Sequence, residues 1–201
     1  MPKPKCLLFD IGNVLVELNG RPIQQQWLKQ KLSLEDNWRA WIESPIAIAF
    51  ETGEIGQQEF GDAIVNQLRL NISSQEFLSH FKVWPHRVYP KVFETLEVLR
   101  ENYILAIFSN TNGLHWSYLM SELELQGKFD YYFASHLIGM AKPQPAAFTK
   151  VLEWMNVDAQ EVLFLDDNQA NINAASQLGI QTELVLGFEQ AIKVLQAREI
   201  L

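Results

Sequence analysis

The chain has 201 residues, with 16 Lys and Arg against 24 Asp and Glu, and its net charge of −8 argues against a general nucleic-acid surface. Hydrophobic residues at 48% and charged residues at 20% exclude a disordered chain and allow a full core with one modest insertion. A small anionic substrate stays open, because a local cation reverses the field inside one cleft.

From the N-terminus, Met1 to Lys5 precede a short apolar run that ends at an aspartate. The run is too short for a secretory signal, and nowhere do about 18 apolar residues follow one another, so a cytoplasmic protein without membrane spans is expected. Cys6 is the only cysteine, which rules out an internal disulfide. Its neighbours, Lys5-Cys6-Leu7-Leu8-Phe9, predict a buried strand thiol.

Cys6 to Phe9 reads as a first buried strand. Residues from about Asn19 to Trp84 read as helical, with helices expected over Gln24 to Leu32, Leu34 to Ile42 and Gln57 to Leu68. Glu51 to Gly56 reads as a turn between two helices. Trp27, Trp38, Trp41, Phe50, Phe60, Phe77 and Phe81 recur at helical spacings, which predicts a small helical core rather than an aromatic binding box. Pro85 and Pro90 mark a return to a different pattern. Beyond them, Tyr103 to Phe108, Tyr131 to Ala134, Val162 to Leu165 and Gln181 to Leu186 read as strands. Leu114 to Leu125, Ala146 to Met155 and Ala170 to Leu178 alternate with them as helices. The order predicts an α/β fold, a doubly wound, Rossmann-like and mostly parallel sheet with a small helical insertion after its first strand. Residues 1–18 and 85–201 form the α/β core in this reading, and 19–84 the helical part.

In such sheets ligands bind beyond the carboxyl ends of the strands, and four polar clusters fall there. Asp10 leaves the first strand in Phe9-Asp10-Ile11-Gly12-Asn13-Val14; taken alone, it fits a helix cap or a turn equally well. Ser109 and Asn110 end a strand in Ser109-Asn110-Thr111-Asn112, where a hydroxyl and free backbone N–H groups suit phosphate oxygens and plain N-capping alike. Lys142 precedes a proline in Ala141-Lys142-Pro143, which restricts its backbone, although most lysines lie in solvent. Asp166 and Asp167 close an apolar strand. Two carboxylates about 4 Å apart repel by ~4 kcal/mol at an effective dielectric of ~20, which favours a nearby cation over capping alone. Among the four histidines none is paired at the spacing of a helical metal site. His115 follows the Ser109 segment and could face substrate, but reads first as a core or surface residue; Trp84, His86 and Arg87 could touch substrate, but read first as a hinge.

In order and spacing, the four segments resemble the haloacid-dehalogenase-like hydrolase superfamily over essentially the whole chain. Asp10 resembles its first motif, Ser109 its second, Lys142 its third and Asp166-Asp167 its fourth, with the helical part at the place of a small α-helical cap. Phe-Asp-Ile-Gly-Asn-Val, Ser-Asn-Thr-Asn, Ala-Lys-Pro and Asp-Asp-Asn are similar to the branch of α-D-glucose-1-phosphate phosphatases. The resemblance implies a Mg²⁺-dependent phosphatase of a small phosphorylated metabolite, with Asp10 forming an aspartyl-phosphate. It further implies Mg²⁺ on Asp10, the Gly12 carbonyl, Asp167 and Asp166 (the last directly or through water). Ser109, the Asn110 backbone and Lys142 hold the phosphate oxygens in the same reading.

One position departs from the pattern. Most phosphatases of the superfamily carry a second aspartate where this chain has Gly12, as general acid for the leaving oxygen. Glycine donates no proton, and general acid catalysis typically supplies ~10²–10⁴-fold in rate. A hemiacetal leaving oxygen, as in a sugar 1-phosphate, lessens that need; a cap residue or water is the other route. Gly12 also disfavours mutase chemistry, and the Asp166-Asp167 doublet disfavours dehalogenation. A non-catalytic phosphate-binding or regulatory module is the alternative of a different class.

Overall fold

The computed structural model describes residues 3–29 and 31–201. Strand β1 (Cys6–Phe9) lies at the centre of a five-stranded sheet. A short ribbon strand, β2 (Val16–Leu18), leads into four helices: α1 (Leu34–Ile42), α2 (Pro45–Glu51), α3 (Gln57–Gln67) and α4 (Ser74–Lys82). The chain returns along β3 (Pro85–Val88), antiparallel to β2. Then follow α5 (Val92–Leu99), β4 (Ile104–Ser109), α6 (Gly113–Ser121), β5 (Tyr131–Ala134), α7 (Ser135–Ile138) and α8 (Pro145–Met155). The last elements are β6 (Val162–Asp166), α9 (Gln169–Gln177), β7 (Gln181–Leu184) and α10 (Phe188–Ala197). The sheet runs β5-β4-β1-β6-β7, and each of its pairings is parallel.

The side-chain period of two explains why both faces of this sheet are covered. Leu7, Phe9, Leu105, Ile107, Leu163 and Leu165 point to one face, where residues of α5, α6 and α10 pack. Cys6, Leu8, Ala106, Phe108, Val162 and Phe164 point to the other, against α8 and α9. Each fully buried Leu or Phe contributes roughly 1.5–3 kcal/mol relative to exposure, so the continuous apolar runs of β1, β4 and β6 fix the centre of the sheet. Cys6 is fully buried among them, as its neighbours predict.

The helical part has a core of its own, built from Trp27, Trp41, Phe50, Phe60, Ile64, Phe77 and Phe81. Phe50 and Phe60 stack with ring centres 4.1 Å apart, and Trp41 meets Phe60 edge-on at 6.0 Å. Its helices start where the sequence offers caps. Ser33 accepts from the Asp36 N–H, Ser44 precedes Pro45 in the first turn, and Ser73 and Glu76 form a reciprocal capping box.

One predicted helix is corrected. Gln24 to Leu32 contains only a short 3₁₀ turn at Gln25–Trp27, with Gln30 outside the described residues. The Leu32 N–H donates to Gln25 Oε1 at 3.2 Å, and Gln25 Nε2 donates back to the Leu32 carbonyl. A side chain thus takes the backbone bonds that a helix needs. Two predicted elements also end early. Helix α6 stops at Ser121, before a turn with Glu124 in the left-handed region at φ 57°, and β7 stops at Leu184. Among the described residues no helix is long and apolar enough to cross a membrane.

Candidate active site

Register places the predicted residues together. Phe9 pairs with Ile107 on one side and Leu165 on the other, so the next residue, Asp10, lies level with Phe108 and Asp166. Lys142 arrives from the segment before α8, and its ammonium group reaches between these strand ends. Nζ donates to Asp10 Oδ1 at 2.8 Å, Asp166 Oδ2 at 2.7 Å and the Phe108 carbonyl at 2.7 Å. All three of its protons are engaged. Asn110 holds the lysine backbone from both sides, accepting from Lys142 N at 2.8 Å and donating to Lys142 O at 2.7 Å. Ser109, Gly12 and Asp167 line the same cleft, whose volume is about 710 Å³.

Capping, the rival reading of these loops, is done by other residues. Asn112 caps α6 by accepting from the His115 N–H at 3.0 Å, and Asn168 caps α9 by accepting from Ala170 N at 2.9 Å. Ser109 and Asp167 are therefore not spent on helix ends. Asp166 is fully buried, and its oxygens accept from Lys142, from Asn168 N at 2.7 Å and from the Asn171 amide at 3.0 and 3.1 Å.

The electrostatics follow from burial. Asp10 is pushed up to about 7, first by desolvation and then by the charges of Asp166 and Asp167, against the attraction of Lys142. Asp167 is raised by burial too, although the Asn13 amide donates to it at 3.0 Å and opposes the shift. Burial lowers Lys142, but the two carboxylates outweigh it and hold the lysine protonated. One oxygen from each of Asp10, Asp166 and Asp167 lies within 4.8 Å of the others. Three carboxylates face one ammonium, a surplus of two negative charges that one divalent cation cancels.

The donor set also fits such a cation chemically. It is all oxygen, as hard cations prefer, and among the described residues no cysteine or histidine joins it. Asn171 Oδ1 is buried beside Asp166 without a hydrogen-bond partner among the described residues, an acceptor suited to a water on the ion.

Other residues reach the cleft without having been singled out for it. Asn13 sits at φ 54°, a left-handed conformation that asparagine tolerates, and thereby turns its amide to Asp167. Glu51, at the end of α2, lines the cleft from the helical side. Trp38, Trp41 and Trp84 form part of the same wall while packing on one another, Trp38 to Trp84 at 5.5 Å and Trp41 to Trp84 at 6.1 Å. The hinge residues divide: Trp84 lines the cleft, whereas Arg87 pairs with Glu17 across the ribbon at 2.6 Å and His86 is exposed. His115 is buried, as the core reading has it, and it also lines the cleft. A polar residue at the end of an apolar strand was the signal that found the first set, except Lys142, which its following proline marked. Glu51 and Asn171 lie inside or at the end of helices, where no such signal exists.

The fold and site agree with what the chain resembles among known proteins. Residues 4–179 match the family model of haloacid dehalogenase-like hydrolases. The chain belongs to that family. It is 28% identical over 189 residues to a D-ribitol-5-phosphate phosphatase of Bacteroides thetaiotaomicron, covering 89% of this chain and 90% of that protein. It is 40% identical over 202 residues to acyl-CoA dehydrogenase family member 10 of Mus musculus, covering 96% of this chain but only 19% of that much longer protein. A crystal structure of a haloacid dehalogenase family enzyme from Bacteroides thetaiotaomicron, in complex with magnesium and inorganic phosphate, superposes with a TM-score of 0.76 at 26% identity. That alignment covers 90% of this chain and 93% of the other.

Proposed function

We propose that the protein is a magnesium-dependent phosphatase that hydrolyses a small phosphorylated metabolite through an aspartyl-phosphate on Asp10. The observation that carries this reading is the buried contact of Lys142 with both Asp10 and Asp166, in a cleft that Ser109 and Asp167 share. It is supported by the named activity of the Bacteroides relative and by the magnesium and phosphate in the matched crystal structure.

In this reading Asp10, the Gly12 carbonyl and Asp167 would hold the ion, with Asp166 directly or through water. A bound magnesium supplies charge neutralisation for the transferring phosphoryl group. Ser109 and the Asn110 backbone hold the phosphate oxygens, and Lys142 would give up one of its three present bonds to join them. An Asp10 carboxylate oxygen attacks phosphorus, the ester oxygen leaves, and water then cleaves the acyl phosphate to return Asp10 and release inorganic phosphate. Residues 19–84 act as a cap that closes the cleft and, through Trp38, Trp41 and Trp84, meets the organic part of the substrate.

The test is hydrolysis of p-nitrophenyl phosphate with Mg²⁺, repeated with EDTA and with Asp10→Asn. Activity that both treatments abolish is the expected result. Silence of the folded wild-type protein would favour a phosphate-binding module instead.

A narrower reading concerns the substrate, and Gly12 favours it. With no acid at that position, a sugar 1-phosphate is the preferred ester to the extent that no other group supplies the proton, because its hemiacetal oxygen departs more readily than an alkoxide. A higher kcat/KM for sugar 1-phosphates than for 6-phosphates is expected; equal or reversed preference removes the argument.

A further inference from the structure

We infer that the carboxyl group of Glu51 is the acid that protonates the leaving oxygen, doing from the helical side what no side chain does at Gly12. This rests on the phosphatase reading above and names a residue that the family motifs in this sequence do not contain.

The placement of Glu51 is specific. It lines the cleft shared by Asp10, Gly12, Ser109 and Lys142. Its backbone is fastened to the opposite wall, where the fully buried Ser135 hydroxyl donates to the Glu51 carbonyl. The same hydroxyl contacts both backbone groups of Thr111, accepting from its N–H at 2.9 Å, two residues beyond Ser109. Two residues after Glu51, Gly53 lies so close to α7 that a Cβ there would stand 2.6 Å from the His136 carbonyl oxygen. Helix α2 thus ends locked onto the loop that carries Ser109, with Glu51 on the wall of the cleft that holds the reacting groups.

The chemistry suits the place. Among the described residues Glu51 has no ion pair with any Lys, Arg or His. Burial pushes its carboxyl up to about 7, with only a hydrogen bond from the Trp41 side chain opposing. A carboxylic acid protonated near neutrality is what a departing alkoxide needs. As Asp10 bonds to phosphorus and the ester P–O bond breaks, the Glu51 proton passes to the leaving oxygen and the alcohol departs. The Glu51 carboxylate then takes a proton from the water that attacks the acyl phosphate, restoring both groups. One ester and one water give one alcohol and one phosphate.

The leaving group is the measurable handle. The test compares wild type, Glu51→Gln and Glu51→Asp on a sugar 6-phosphate, a sugar 1-phosphate and p-nitrophenyl phosphate, with thermal unfolding as the folding control. Glu51→Gln is expected to lose ~10²–10⁴-fold in kcat on the 6-phosphate, less on the 1-phosphate and least on the nitrophenyl ester. The wild-type alkaline limb on the 6-phosphate should vanish in Glu51→Gln and persist at lower kcat in Glu51→Asp. Asp10, His115, Lys142 and Asp167 are the other titratable groups lining the cleft, and they are common to all three proteins. Equal losses on all three esters, or no loss on any, would overturn the assignment and leave the phosphatase standing. A folded wild type inactive on every ester would overturn both.

Discussion

His115 Nε2 lies 2.7 Å from the Phe81 carbonyl oxygen, a bond that ties α6 to the last turn of α4 and so joins the two cores. A carbonyl only accepts, so Nε2 carries the proton, and Nδ1 accepts from the Asn112 amide at 3.1 Å. The ring is therefore neutral by construction, and burial lowers its pKa to about 4.

Burial of this ring, which the bond to Phe81 only partly offsets, gives the fold a defined acid sensitivity. As pH falls from 6.5 towards 4, the unfolded histidine takes up a proton while the folded one resists, so stability declines through this window and levels off below it. The full effect is on the order of 3 kcal/mol. Glu51, raised to about 7 in the folded protein, has the opposite sign in part of this range. Urea unfolding of wild type against His115→Gln across pH 4–7 separates them, and the slope difference should follow the histidine.

Removing Lys142 leaves two buried carboxylates facing each other. Lys142→Met should lose roughly 3–5 kcal/mol, as expected when one partner of a buried ion pair is deleted, and should abolish hydrolysis. Added Mg²⁺ should restore up to ~2.7 kcal/mol at a hundredfold excess over its Kd. Urea titrations with Mg²⁺ and with EDTA check both figures, and an Asp167→Asn variant should show no such recovery.

Gly53 combines φ +77° with the close approach to His136. Gly53→Ala meets strain and a clash together and should cost about 1–3 kcal/mol. Because the segment also fastens Glu51, kcat/KM should fall by more than the stability loss alone implies, measured well below the melting temperature.

The Cys6 thiol is fully buried, pushed up to about 12, and touches the Met155 sulfur at 3.7 Å. An aromatic disulfide reagent should label the native protein at least ~100-fold more slowly than the urea-unfolded chain. Labelling kinetics would thus report opening of the sheet.

The centre of the fold was legible because β1, β4 and β6 are apolar runs that end in polar residues, a pattern local to each segment. Asp10, Ser109 and the Asp166-Asp167 pair were readable for the same reason, and Lys142 from the proline after it and the motif order. Elements held by distant partners were not. β2 has three residues and β3 four, and they pair across the whole helical insertion with a register irregularity between Glu17 and Leu18. The Gln24 to Leu32 helix failed because a glutamine side chain competed for backbone groups, which periodicity does not register. Glu51 read as the first residue of a turn. Its relation to the cleft depends on Ser135, 84 positions away.

Leu18 and Pro85 are paired across the ribbon, so the chain leaves the sheet and comes back at neighbouring points. The chain between them is joined covalently at this one place, where opposed residues of an antiparallel pair lie roughly 4.5–5.5 Å apart, while the Ser135–Glu51 and His115–Phe81 bonds fasten it to the sheet side elsewhere. Any independently folding unit with adjacent termini meets that covalent requirement. Exchanging the insertion would leave Asp10, Lys142 and Asp166 on their strands and loops while replacing Glu51 and the tryptophan wall. If the proposed roles hold, selectivity and proton delivery are separable from bond-making in this scaffold, and free to diverge without it.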